Sequence, residues 1–62
     1  MIKVIYRDEE QSFEDGLTGR ELLKRLGLTE EEALLVSGGK LLPLNEELPR
    51  EGVKVIPVLS GG

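Results

Sequence analysis

The chain has 62 residues, eight basic and twelve acidic for a net charge of −4, with no cysteine and no histidine. A chain this short buries only about 60% of the surface its unfolded form exposes, so an active-site cavity competes with the core. Composition excludes disulfides, thiolate zinc sites and cysteine or histidine catalysis. Singly scattered basic residues speak against nucleic acid as a partner, and no apolar run is long enough to span a bilayer.

The opening "MIKVIYRD" alternates Ile2, Val4 and Tyr6 against Lys3, Ile5 and Arg7, which reads as a strand with one buried face. No positively charged lead and long apolar block precede it, so no signal peptide is expected and the cytoplasm is the expected compartment. "DEEQ" reads as a turn, followed by a short strand over 11–14 that points Phe13 inward before Asp15 and Gly16 end it.

"LTGRELLKRLGL" carries the clearest helix signal. Thr18 followed three residues later by Glu21 is a capping-box pattern. Leu22, Leu23 and Leu26 share one face, while Arg20, Lys24 and Arg25 point to solvent. Gly27 closes the helix and Leu28 folds back on its last turn. So short a helix is unstable alone and must lie across a sheet.

From Thr29 the local propensities favour a second helix, but "LLVSGGKLL" holds two apolar runs around Gly38-Gly39, and a glycine pair suits a type I′ hairpin turn. The sequence therefore predicts one helical turn over 30–32, a strand, the Gly38-Gly39 turn, and a return strand ending at Pro43. That pair joins two strands and opens no helix, so it is read as a turn and not as a phosphate cradle. "PLNEELPREG" is a loop. "VKVIPVL" is a last strand with Val53 and Val55 on one face and Ile56 and Val58 on the other, with Pro57 unable to donate to a ladder. The acidic clusters Asp8 to Glu10 and Glu30 to Glu32 read as hydrated surface turns, and no metal is expected.

This order of strands and helix, ending in "VLSGG", resembles the plan of the β-grasp, or ubiquitin-like, fold. The expected class is α+β, a mixed four- to five-stranded sheet with one main helix across it, as a single domain over 1–62 with a flexible tail over 60–62. Three stretches carry the resemblance: "DGLTGRELLKRLGL", "VSGGKLLP" in place of an Asn-Gly hairpin, and "GVKVIPVLSGG". They are similar to the ThiS/MoaD sulfur-carrier family and to its ubiquitin-related and archaeal small-modifier relatives. Two positions depart from that pattern. Gly19 stands at the first helical position, where relatives carry a branched apolar residue, and its expected cost is somewhat under about 1 kcal/mol against alanine. Pro57 stands where relatives carry a strand former.

The resemblance implies a carrier and not an enzyme, whose working group is the carboxylate of Gly62. An ionised carboxylate resists nucleophiles, its pKa being about 3.5. In the family an ATP-dependent adenylating enzyme activates it, and a persulfide sulfur then turns it into a thiocarboxylate. Gly61 and Gly62 carry no Cβ to obstruct a nucleotide site; Ser60 and Gly61 are the tail residues that enzyme would recognise. The implied partners are the adenylating enzyme, a sulfur donor such as a cysteine desulfurase or rhodanese, and a sulfur-acceptor synthase, with thiamine thiazole formation the first expected destination and molybdopterin or tRNA thiolation the others. No cofactor of its own and a monomeric free state are expected. Strand alternation sends Ile5, Ile56 and Val58 to the face opposite the core, beside Leu59 and the tail, and this set is the expected docking face. Two other readings stay open: a protein modifier joined through Gly62 to lysines, and a plain β-grasp interaction module.

Overall fold

A computed structural model describes residues 1–58. Strands β1 (Ile2–Tyr6) and β2 (Glu9–Phe13) form a hairpin, helix α1 (Gly19–Leu26) follows, β3 (Ala33–Ser37) and β4 (Lys40–Leu41) form a second hairpin, and β5 (Val53–Pro57) returns between the two. The sheet order is β2-β1-β5-β3-β4. Only β1 and β5 run parallel; the other pairs are antiparallel. The protein is therefore α+β, a mixed five-stranded sheet with one helix.

The core lies between one face of this sheet and α1. Ile2 and Val4 of β1, Ala33 and Leu35 of β3, and Val53 and Val55 of β5 point into it, where Leu22 and Leu23 of α1 meet them. Period-two alternation thus places side chains as expected on β1 and β5. Phe13 is half-buried and packs against the same cluster.

The ends of α1 are closed on both sides. The Glu21 N–H donates to Thr18 Oγ1 at 3.3 Å and the Thr18 N–H donates to Glu21 Oε1 at 2.9 Å, completing the capping box. The Thr18 N–H, and after it the Thr18 hydroxyl, which donates to Glu21 Oε1 at 3.1 Å, hold the Glu21 carboxyl below its ordinary pKa. At the other end Gly27 has φ 75°, and the Leu28 N–H reaches back to the Leu23 carbonyl at 2.8 Å, as in a Schellman turn. Arg25 grips Glu14 with two parallel bonds of 3.0 and 3.1 Å. This lowers the Glu14 pKa, chiefly through the hydrogen bond from Arg25, and raises that of Arg25.

Three sequence expectations need correction. The first hairpin turns at Arg7-Asp8, with Glu9 and Glu10 already in β2, because both Arg7 (φ 52°) and Asp8 (φ 64°) adopt the left-handed conformation that a two-residue turn demands. The return strand stops at Leu41 and not at Pro43; one further bond, Leu42 N–H to Leu35 C=O at 2.8 Å, ends the pairing. Gly19 is a close-packing position and not merely a weak first turn. A Cβ there would lie 3.1 Å from Leu44 Cα and 2.7 Å from Leu35 Cδ1.

The loop joining β4 to β5 explains that proximity. The Arg20 N–H donates to Leu44 C=O at 2.9 Å, the Gly19 N–H to Glu46 C=O at 3.3 Å, and the Leu48 N–H to Leu17 C=O at 2.8 Å. The first-turn donors of α1, which no helix can satisfy internally, are therefore served by a segment 25 residues on, by the count from Gly19 to Leu44. The turn over 30–32 forms as expected, with the Glu32 N–H on Thr29 C=O and the Thr29 N–H on Glu32 Oε1, and Gly38 and Gly39 both take positive φ.

Candidate docking face and the end of the central strand

With its other face on α1, the sheet leaves one face open. Lys3 and Ile5 of β1, Lys54 and Ile56 of β5, and Leu34 and Val36 of β3 alternate onto it. Ile5 (40% exposed), Leu34 (43%), Ile56 (38%) and Val58 (40%) each keep over a third of their surface in water. Leu34 lies directly opposite Ile56, and Leu41 lies opposite Val36. The expected residues Ile5 and Ile56 thus share one face, and Val58, just past β5, is exposed as well.

Sequence reasoning missed Leu34 and Leu41. The signal for Leu34 was present in "ALLVS", since a strand that buries Ala33 and Leu35 must send the residue between them outward. Leu41, on a two-residue edge strand, offers no such period.

Two shallow depressions mark this face. One is bounded by Ile5, Ile56, Pro57, Lys54 and the Arg7-Asp8 turn; the other runs from Ile5 and Lys54 to Val36, Ser37 and Gly52. The Arg7 guanidinium carbon stands 5.4 Å from the Tyr6 ring centroid, within cation–π range. Because β1 and β5 are parallel, this turn flanks the same end of the sheet at which β5 finishes.

Pairing of β5 continues past its proline. Pro57 is opposite Ala33, and the Val58 N–H donates to Glu32 C=O at 2.7 Å. Val58 is the last described residue. Leu59, expected in the docking face, Ser60 and Gly61, expected in tail recognition, and Gly62, expected to carry the chemistry, lie outside the described residues. Among the described residues no helix is long and apolar enough to cross a membrane, and no three carboxylates are grouped as metal ligands would be.

No protein-family model matches the chain.

Proposed function

We propose that this protein is a β-grasp sulfur carrier of the ThiS/MoaD type, working through the carboxylate of Gly62. The observation that supports this most is the placement of β5. It is the central strand of the sheet, and it stays hydrogen-bonded through Val58, four residues before Gly62. Four extended residues reach about 14 Å. A body that holds β5 this far keeps Gly62 within that reach of an open apolar face on which a partner can rest.

The chemistry runs through a partner's nucleotide site. A Gly62 carboxylate oxygen attacks the α-phosphorus of ATP and pyrophosphate leaves, giving an acyl adenylate. The terminal sulfur of a persulfide attacks the carbonyl carbon and AMP leaves. A thiol then cleaves the remaining S–S bond and frees the thiocarboxylate. The carrier contributes only the electrophile, which suits a chain with neither cysteine nor histidine.

Intact-mass measurement tests the reading. The protein, with a free C-terminus, is incubated with cell lysate, ATP and a sulfur source. A gain equal to one oxygen replaced by sulfur, confined to the C-terminal peptide and lost when Gly62 is deleted, is expected. Lysine-linked adducts through Gly62 in place of that shift would make the protein a modifier. An unchanged mass under conditions that activate a known carrier would leave the tail without this role.

A further inference from the structure

The middle of the open face holds a charge. Lys54 lies on the central strand, directly beside Ile5 on β1 and Val36 on β3. Ile56 is its next neighbour along the same face, and Gly52, with no side chain, is on the other side. Lys54 lines both depressions. The charged groups nearby are Lys3 and Glu51 in one and Arg7 and Asp8 in the other. Lys3 is paired to Glu10 at 3.7 Å, and Lys54 forms no ion pair among the described residues.

This placement constrains whatever covers the face. Lys54 stands between Ile5 and Val36, with Ile56 next along its strand, so a surface that buries those apolar groups covers the ammonium too. An ammonium buried without a counter-charge is strongly unfavourable. Two copies packed face to face about a twofold axis would bring Lys54 of each near the other, and like charges there oppose association. A partner with its own carboxylate has no such difficulty.

We infer that the open face docks a partner surface presenting a carboxylate to Lys54 inside a ring of apolar side chains, so that Lys54 decides which partner fits. The occupant is the adenylating enzyme, an assignment that rests on the function proposed above. The short reach from Val58 to Gly62 requires the enzyme that takes the carboxylate to touch the body close to the end of β5, where this face lies.

The test uses the full-length protein and the purified adenylating enzyme of its own cell. The dissociation constant is measured at low and high salt for wild type, Lys54→Glu, Lys54→Met and Lys24→Glu, the last making the same charge change on the helical side. Melting temperatures check folding. Lys54→Glu is expected to weaken binding about tenfold or more. Lys54→Met is expected to weaken it several-fold and to flatten its salt dependence, since the enzyme's carboxylate is left unpaired. Lys24→Glu is expected to bind as wild type. Saturating enzyme should still adenylate every variant at Gly62. Lys54→Glu binding like wild type, or Lys54→Met binding more tightly, overturns the inference while adenylation stands. Self-association that Lys54→Glu alters, with enzyme affinity untouched, assigns the face to a second copy and overturns it as well. A wild-type protein that the enzyme never adenylates is instead a failure of the proposed function, and takes the assigned occupant with it.

Discussion

The backbone N–H of Val58 donates to the carbonyl of Glu32 at 2.7 Å, one residue beyond a proline that has no hydrogen to give. Pro57 sits in the ladder opposite Ala33 without ending it. The bond carries the ladder to the last described residue. Its consequence is measurable by amide exchange: the Val58 amide should exchange at least about tenfold more slowly than in a free peptide. Exchange at the free-peptide rate would show that β5 frays at its proline. Val58→Pro removes the donor, and a loss of about 1 kcal/mol in urea unfolding is expected.

Gly19→Ala sets two effects against each other. Helix propensity alone predicts a gain of up to about 1 kcal/mol. Against it stands the Cβ position 3.1 Å from Leu44 Cα, on a backbone that the Arg20 N–H holds by its carbonyl at 2.9 Å. The nearer Leu35 Cδ1 is the end of a flexible side chain and can rotate away; the Leu44 backbone cannot move without breaking the bonds that close the first turn of α1. A net loss of about 1–2 kcal/mol is expected, in the range of overpacking. A stabilised alanine variant would show that the loop yields freely.

Acid should unfold the protein partly through Glu14 and Glu21. Both carboxyls have folded pKa values below their ordinary ones, Glu14 through the hydrogen bond from Arg25 and Glu21 through the Thr18 N–H. A depressed carboxyl pKa contributes stability that is fully present above the unfolded value of about 4.3 and is lost as pH falls through the folded value. The unfolding free energy of the wild type should therefore decline from about pH 5 downward. In the Glu14→Gln, Glu21→Gln double variant that decline should be shallower. Equal slopes for the two proteins would mean that these surface bonds are as well made in the unfolded chain or with water.

What the sequence disclosed and what it hid divide along the range of the interactions involved. The capping box of Thr18 and Glu21, the closing Gly27 and the Gly38-Gly39 turn are each decided within a few residues, and all three stand as expected. The Arg7-Asp8 turn carries neither glycine nor asparagine, so its positive φ values left no mark in composition; the pairing of Ile2 with Phe13 and Tyr6 with Glu9 imposes them. Gly19 was misread for a related reason. Its neighbour Leu44 arrives from a distant loop, and no local pattern announces a close approach made by tertiary packing. The candidate face was half legible. Alternation exposes Ile5 and Ile56, whereas seeing Leu34 beside Ile56 requires the β3–β5 register.

Ile56 separates a docking role from a structural one. It is 38% exposed and faces Leu34 across the β3–β5 pair, while its strand neighbour Val55 is 3% exposed in the core. Ile56→Asp leaves the core untouched, and the new carboxylate would lie on the same face as Lys54, which softens its cost. A change in stability of no more than about 1 kcal/mol is expected, against several for Val55→Asp, which buries an unpaired charge. If the open face docks the adenylating enzyme, Ile56→Asp and Leu34→Asp should each weaken that complex about tenfold or more, as removal of central apolar contacts does at other interfaces. The measurements are urea unfolding and direct titration with the enzyme. A large stability loss at Ile56 would make it a core residue in effect. Unchanged affinity with unchanged stability would move the contact surface off this face, and with it the reason for Ile5, Leu34, Leu41 and Ile56 to remain in water there.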